Sequence, residues 1–125
     1  LFNIFIKYWG YNIPDVIICD EAQFFSPAQI DQLRDIARFL KLDVLCFGLK
    51  TNFMTHCFEG SARLFELADE LIKLDNVCDC GQPALVNARL DQYGNITTTG
   101  EDILIGGDSQ YKAMCWRCYR RRVKK

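Results

Sequence analysis

The 125-residue sequence predicts an α/β fold, in which a partial parallel sheet with helices is followed by a small β-rich subdomain. Two short apolar runs, residues 15–19 and 43–49, flank a segment of helical periodicity, which indicates a strand–helix–strand unit. Later in the chain, two close cysteine pairs enclose a β-rich stretch, a pattern typical of a zinc ribbon. Half of the residues are hydrophobic and a quarter are charged, as in folded soluble domains.

The first predicted element is a short amphipathic helix within residues 1–11. Its aromatic residues Phe2, Phe5 and Trp9 would share one face, which indicates core packing. Because Leu1 is not an initiator methionine, we expect the chain to be part of a longer protein. Its apolar runs are far shorter than the ~20 residues of a membrane span, and no cleavable signal pattern opens the sequence.

The next element is a strand over residues 15–19 that leads into two adjacent carboxylates, Asp20 and Glu21. Its apolar, mostly β-branched run is too short for a helix and suits a strand buried on both faces. A buried strand with an acidic pair at its carboxyl end is the Walker B arrangement, in which the Asp helps to hold magnesium on the phosphates and the neighbouring acid accepts a proton. The alternative is a core strand that ends in a solvated acidic pair.

A helix is predicted to follow, from Ser26 to about Lys41. Ser26 is a typical N-cap, Pro27 occupies the first helical position, and Gln29 completes a capping box. The apolar side chains beyond them recur with the 3.6-residue period of an amphipathic helix.

A second buried strand over residues 43–49 completes a right-handed βαβ crossover, which makes the two strands parallel. Ligands of parallel sheets bind at the carboxyl ends of the strands, here residues 20–25 and Leu49 onward. The polar loop that follows contains Phe53 and Phe58. These two side chains would either line an aromatic pocket or form a satellite core under the loop.

At about Asn76 the sequence pattern changes from alternating strands and helices to cysteine pairs with short strands. We therefore predict two domains, a partial α/β core over residues 1–76 and a zinc-binding subdomain over 77–125. A turn is expected at 93–95, where the sequence is Tyr-Gly-Asn. The other predicted elements are a helix over 60–72 and strands over 73–77, 84–90 and 103–105.

Four of the seven cysteines form two close pairs, and the other three lie elsewhere in the sequence. Cys19 and Cys46 lie within the apolar runs, where a free thiol behaves as a small hydrophobic side chain. Tetrahedral zinc takes four thiolates, and each close pair fits a tight turn, so we predict a structural zinc site. Free thiols are one alternative, and a disulfide, either between Cys78 and Cys80 or mixed, is the other. The absence of a secretory signal favours the reducing cytoplasm. The four predicted metal ligands are Cys78, Cys80, Cys115 and Cys118.

Basic residues concentrate at the end of the chain, where six of the 15 lysines and arginines lie between residues 117 and 125. Such a tail can contact nucleic acid, but a frayed, solvated terminus is the commoner structure, and we assign the tail no function.

Several motifs occur in the order found in the cellular-type (type II) thymidine kinases, and the chain resembles the carboxyl-terminal two-thirds of a bacterial member. The resemblance covers nearly all of residues 15–119. It implies a partial P-loop-kinase-like parallel sheet with helices, a zinc-ribbon and lasso subdomain, and a homotetramer. The lasso is the loop between the two cysteine pairs, which in this family closes over the nucleoside. The motifs are Asp20-Glu-Ala-Gln-Phe-Phe25, Phe47-Gly-Leu-Lys-Thr-Asn-Phe53, Phe58-Glu-Gly-Ser61, Cys80-Gly, Ile105-Gly-Gly107 with Tyr111, and Cys115-Trp-Arg-Cys-Tyr119.

The resemblance implies phosphorylation of the 5'-hydroxyl of thymidine or deoxyuridine by ATP. Glu21 is then the general base, Asp20 belongs to the site of magnesium with ATP, and Gln23 lies on the cofactor side. The implied nucleoside contacts are Leu49, Phe53 and Phe58 around the thymine, main-chain groups of Ile103, Leu104, Ile105 and Gly106 at the base edge, Tyr111 near the sugar, and Asn87 and Arg89 on the lasso.

The sequence departs from the family pattern at three places. No G-x-x-x-x-G-K-[ST] phosphate loop occurs in the 125 residues, so we expect this chain to be inactive by itself. Residues 54–57 replace a more basic and polar loop. The first cysteine pair has a one-residue gap instead of two.

Two other classes of function are alternatives to a kinase. A nucleic-acid-binding ATPase module with a zinc ribbon would also carry Asp-Glu-Ala after a buried strand. It is disfavoured because aromatic and basic residues do not interleave on one predicted face, and because the lasso is acidic at Glu101, Asp102 and Asp108. A purely structural zinc-ribbon domain does not explain why the acidic pair lies where a parallel sheet binds ligand.

Overall fold

The computed structural model describes Lys7, residues 12–101 and residues 110–123. These residues form two compact units. The first contains the described residues up to Lys50 together with Cys57–Leu71, and the second contains Thr51–His56 together with the described residues from Ile72 onward. The boundary at Asn76 remains a prediction. Apart from Lys7, the helix expected within residues 1–11 lies outside the described residues, as does the strand expected at 103–105.

The first unit is a βαβ unit, as predicted. Strand β1 (Val16–Cys19) pairs in parallel with β2 (Asp43–Cys46), in a register that sets Cys19 beside Cys46. Helix α1 (Pro27–Leu40) connects them, and α2 (Glu59–Leu67) follows. A small core forms where Ile36 of α1 and Leu42 meet three partly buried side chains of the sheet and helix. These are Ile17, Leu40 and Val44.

The prediction that the first strand is buried on both faces was wrong. Val16 is 42% exposed and Ile18 is 65% exposed, whereas Ile17 packs against the core. The reason is that, among the described residues, this sheet has two strands, and its core contacts are made on the Ile17 and Val44 side.

Helix α1 begins and ends as its capping residues predict. The Ser26 hydroxyl accepts a hydrogen bond from the Gln29 N–H at 3.2 Å, and the Ser26 N–H donates to the Gln29 side chain at 2.9 Å. Pro27 occupies the first turn. The helix ends at Lys41, whose backbone is left-handed with a φ of 52°.

Two predicted boundaries and one predicted strand differ from the structure in this part of the chain. Helix α2 ends at Leu67 instead of residue 72, because the backbone becomes extended at Ala68. Asp69 then forms a bidentate ion pair with Arg34 of α1. Strand β2 ends at Cys46 instead of residue 49, because the next residues bond to the turn after β1. Residues 73–77 form no strand and make only an isolated bridge from Val77 to Pro83.

The second unit contains an antiparallel pair of strands and a helix. Strand β3 (Val86–Leu90) confirms the predicted element, although it starts two residues later. It pairs with β4 (Gln110–Met114), and helix α3 (Trp116–Val123) follows. The core of the unit consists of Cys78, Val86, Ala88, Met114, Cys115 and Tyr119.

Part of the basic tail is helical, which differs from the frayed terminus that we expected. Tyr119 is buried in the core, and the Arg122 guanidinium donates to the carbonyl of Gly94. Helix α3 is therefore anchored to the second unit through Tyr119 and Arg122. Across residues 12–101 and 110–123, no helix is long and apolar enough to cross a membrane.

Candidate active site and metal centre

The acidic pair lies on a tight turn at the carboxyl end of β1. Both side chains are exposed, and the Glu21 N–H donates a hydrogen bond to Asp20 Oδ1 at 2.9 Å. Glu21 has a left-handed backbone with φ 51° and ψ 40°, which costs an L-residue about 1–2 kcal/mol. Such a conformation persists only where the surroundings determine it. Both carboxylates are exposed at the carboxyl end of the strand.

Gln23 connects the Glu21 carboxylate to the loop after β2. Its side chain is buried, with 2% of the residue exposed. Gln23 Nε2 donates to Glu21 Oε2 at 2.5 Å, and Gln23 Oε1 accepts from the Leu49 N–H at 3.2 Å. Both ends of the buried amide are thus bonded to the protein, as a buried polar group requires.

Main-chain hydrogen bonds hold the two strand-end turns together. The Phe47 N–H donates to the Cys19 carbonyl at 2.8 Å, and the Ala22 N–H donates to the Phe47 carbonyl at 2.9 Å. Gly48 then passes so close that a Cβ at this position would lie 2.5 Å from Gln23 Oε1. A side chain at position 48 would therefore displace the Gln23 amide, and its Cβ would also lie 3.1 Å from the Gln23 backbone nitrogen.

The first turn of α2 also contacts the turns that follow β1 and β2. Ser61 is buried, and its hydroxyl donates to the Leu49 carbonyl at 2.5 Å. The rings of Phe24 and Phe58 pack edge to face, with 5.5 Å between their centroids. Gly60 lies against the turn after β1, where an added Cβ would come within 2.5 Å of the Phe25 carbonyl oxygen and 2.8 Å of the Gln23 carbonyl oxygen.

Replacing Gly60 with Ala is therefore expected to displace the turn that carries Glu21. The clashing atoms belong to the backbone and cannot rotate away, so we expect a loss of about 1–3 kcal/mol in the free energy of unfolding, measured by urea denaturation. Glu59→Ala is the matched control, because Glu59 is the exposed neighbour in the same helical turn. Equal stability of the two variants would show that the turn does not depend on this contact.

In the second unit, Arg89 joins two of the predicted nucleoside-binding aromatic residues. Arg89 is 1% exposed, and its guanidinium carbon lies 3.6 Å from the centroid of the Phe53 ring and 5.4 Å from that of Tyr111. Its Nε also donates to the Tyr111 hydroxyl at 2.9 Å. A cation held over aromatic faces in a dry site is attracted to the ring electrons. Arg89 therefore contacts both aromatic side chains, Phe53 through its ring face and Tyr111 through its hydroxyl.

Asn52 shapes the loop that carries Phe53. Its buried side-chain oxygen accepts hydrogen bonds from the N–H groups of Met54 at 3.0 Å and His56 at 3.1 Å. Thr55 is left-handed, with a φ of 70°. Asn52 was not among the predicted site residues, although asparagine in a polar loop is a recognised former of side-chain-closed turns.

The four cysteines predicted as metal ligands lie together in the second unit. Their sulfur atoms are all within 4.8 Å of one another, and Cys80 Sγ lies 3.6 Å from Cys115 Sγ. Four sulfurs bound to zinc at about 2.3 Å lie about 3.8 Å apart in a tetrahedron, so the donor set and its spacing fit a structural zinc ion. The narrow first pair is accommodated by a turn in which Gly81 is left-handed and its N–H donates to the Cys78 carbonyl at 2.8 Å.

The thiols of this cluster differ in acidity. Backbone N–H groups of Cys80 and then Cys115 lower the pKa of the Cys78 thiol to about 6, because they stabilise a thiolate. The neighbouring cysteines, Cys115 first, raise the pKa of Cys118 to about 12. Four sulfurs at this spacing thus resist full ionisation unless a cation neutralises them.

Cys19 and Cys46 belong to a different environment. All seven cysteines are free thiols, and these two lie side by side on the parallel strands. Burial, followed by the adjacent Cys19, raises the pKa of Cys46 to about 11, and burial also raises that of Cys19. Both remain protonated at neutral pH, as expected of small hydrophobic side chains.

The other predicted nucleoside contacts are spread over both units. Leu49 and Phe58 belong to the first unit, and Phe53, Asn87 and Tyr111 belong to the second. Phe53 and Phe58 are both buried, whereas Tyr111 is half exposed. Ile103, Leu104, Ile105 and Gly106 lie outside the described residues. Substrate contact by any of these residues therefore stays a prediction.

Comparison with known proteins finds one family. A family model described as thymidine kinase matches residues 6–119. The chain is 45% identical over 103 residues to a protein named thymidine kinase from Albidiferax ferrireducens, an alignment that covers 82% of this chain and 52% of the relative. A thymidine kinase from Chromobacterium violaceum is 41% identical over 87% of this chain and 59% of its own length. A thymidine kinase from Vibrio cholerae is 40% identical over 83% of this chain and 54% of its own length. The chain thus spans about half the length of the curated relatives it matches.

Proposed function

The chain belongs to the thymidine kinase family, and we propose that it carries the base-bearing part of an enzyme that transfers the γ-phosphate of ATP to the 5'-hydroxyl of thymidine or deoxyuridine. The observation that carries this proposal is the position of Glu21. An exposed carboxylate, held by a buried amide at the carboxyl end of a parallel strand, lies where such sheets bind ligands.

Each acid has a separate role in the proposed reaction. Glu21 is the general base that accepts the proton of the attacking 5'-hydroxyl, which makes that oxygen a better nucleophile. Asp20 belongs to the site of the magnesium that accompanies ATP, an ion that neutralises charge on the phosphates. The Glu21 N–H to Asp20 hydrogen bond keeps the two carboxylates on one turn.

Activity is proposed to require residues beyond these 125. The phosphate loop that would cradle the ATP phosphates does not occur in the sequence, and the relatives are about twice as long as the matched region. We therefore assign catalysis to the full-length protein and expect none from the 125 residues in isolation.

The nucleoside contacts are proposed on the resemblance to the family, residue by residue. Leu49, Phe53 and Phe58 would surround the thymine, and Tyr111 would contact the sugar. Their support is that Leu49 is held by Gln23 and Ser61, and that the Tyr111 hydroxyl is held by Arg89. The remaining proposed contacts are Asn87, Arg89, Ile103, Leu104, Ile105 and Gly106.

The finer assignments of fold and assembly are also proposals. The parallel strands and helices support a P-loop-kinase-like sheet, and the four-cysteine cluster supports a zinc-ribbon and lasso subdomain with one structural zinc. The family resemblance supports a cytoplasmic homotetramer. Seven unpaired thiols are in keeping with a reducing compartment.

The test is to identify the product made by the full-length protein. With Mg²⁺, ATP and thymidine, we expect thymidine 5'-monophosphate and ADP in equal amounts, detected by chromatography and mass spectrometry. Thymidine lacking its 5'-hydroxyl is the matched control and should give no product. ATP hydrolysis that appears only when single-stranded DNA is added would instead support the nucleic-acid-dependent ATPase, and would overturn the kinase assignment.

A further inference from the structure

We propose that Gln23 is a positioning residue that orients the carboxylate of Glu21 for proton abstraction. This inference rests on the proposed function, because it takes Glu21 as the general base. It assigns Gln23 a different role from the cofactor contact that the family resemblance implies.

The first support is the burial and bonding of the Gln23 side chain. The residue is 2% exposed, and its amide bonds Glu21 Oε2 through Nε2 and the Leu49 N–H through Oε1. The amide is therefore directed into the protein, between the turns that follow β1 and β2. Its donor reaches the carboxylate of the proposed base.

The second support is that the bond to Leu49 determines which way the amide faces. A glutamine amide carries an acceptor at one end and donors at the other. Because the Leu49 N–H can only donate, Oε1 must face it, and the N–H₂ group must then face Glu21. The donor thus meets one carboxylate oxygen and leaves the other available to a hydroxyl.

The third support is the packing around this pair of hydrogen bonds. Gly48 leaves no room for a side chain beside Gln23 Oε1, and Ser61 fixes the Leu49 carbonyl. Glu21 itself is held in a left-handed backbone that fixes the origin of its side chain. A carboxylate constrained at both its backbone and one oxygen loses little freedom when it reaches the reactive geometry, and such orientation lowers the barrier to reaction.

A double-mutant cycle in the full-length protein tests the inference. Gln23→Met keeps the length of the side chain but removes both hydrogen bonds, and we expect kcat to fall about tenfold with the KM for thymidine nearly unchanged. When Glu21 has already been replaced by Gln, there is no base left to orient. The same Gln23→Met change should then lower kcat less than twofold further.

Three further measurements complete the design. Gln92→Met changes an exposed glutamine of the second unit and should leave kcat at the wild-type value. Gln23→Glu keeps an acceptor for the Leu49 N–H but sets a second carboxylate against Glu21, so it should lower kcat at least as much as Gln23→Met. Thermal melting of each variant reports whether it is folded, and Gln23→Glu replaces Gln23→Met in the cycle if the latter does not fold.

The outcomes separate this inference from the proposed function. An equal loss of kcat from Gln23→Met in both backgrounds, or a loss confined to KM, would overturn the positioning role and leave Glu21 as the base. If Glu21→Gln alone retained the wild-type kcat, the assignment of the base would fail, and the positioning role would fail with it.

Discussion

Replacing Cys118 with Ser is expected to abolish binding of the proposed structural zinc and to unfold the second unit. The four sulfurs surround a space of the right size for zinc, and Cys78 and Cys115 are also members of the core of that unit. Structural zinc contributes about 10–16 kcal/mol of apparent binding free energy in small domains, which exceeds what one small core supplies. The loss of a single ligand should therefore be visible as lost structure.

The measurement is elemental analysis of protein purified without added metal, combined with tryptophan fluorescence. Wild-type protein should carry one zinc per chain, and Cys118→Ser should carry well below one. Trp116 begins helix α3 beside the cluster, and its ring centroid lies 5.8 Å from that of Tyr119, so loss of the helix should change its emission. Cys57→Ser is the matched control, because Cys57 is an exposed free thiol outside the cluster. A wild-type ratio well below one would contradict the zinc assignment.

In the full-length protein, replacing Glu21 with Gln is expected to lower kcat by about 10²-fold or more while leaving thymidine affinity largely intact. The amide cannot accept a proton, and general base catalysis typically contributes about 10²–10⁴ in rate. Glutamine is close in shape to glutamate and is neutral, so the surrounding turn should persist. Affinity measured by calorimetry separates loss of binding from loss of chemistry.

Glu70→Gln provides the matched control for this prediction, since it makes the same chemical change at an exposed residue beyond α2. Its kcat should equal that of the wild type. Equal losses in the two variants would mean that the effect of Glu21→Gln reflects a general change in charge.

The parts of the fold that local chemistry determines were predictable. Helix α1 begins at Ser26 and Pro27 because the capping box is encoded within four residues, and both strands of the first unit follow from apolar runs. Helix α2 was predicted too long because its end depends on the Arg34 to Asp69 ion pair, a contact between residues 35 positions apart. Tertiary contacts of this kind override local propensity.

The second unit was harder to predict for the same reason. Strand β4 contains polar residues at Gln110 and Lys112, and it pairs with β3 across a separation that no local pattern reveals. Helix α3 is rich in arginine and resembles a solvated tail, yet the burial of Tyr119 anchors it. A single buried ring cannot be recognised from composition.

The candidate site divides in a similar way. The acidic pair and the four cysteines could be identified because each forms a recognisable motif of residues that are close together in the sequence. The contacts of Gln23, Ser61 and Arg89 could not be identified in this way, because each depends on partners that are distant in the sequence. Gln23 and Ser61 bond to Leu49. Arg89 contacts Phe53 and Tyr111. Sequence motifs locate reactive groups, whereas the residues that hold them are found from the contacts.

The central claim, that Glu21 is the base for phosphoryl transfer to thymidine, is tested most directly by a single-turnover experiment. Full-length protein saturated with thymidine is mixed with limiting radiolabelled ATP and Mg²⁺, and the formation of thymidine 5'-monophosphate is followed by rapid quenching. This rate excludes product release, so it reports the chemical step alone. We expect Glu21→Gln to slow this step by about 10²-fold or more, with binding of thymidine retained. A wild-type rate in Glu21→Gln would contradict it.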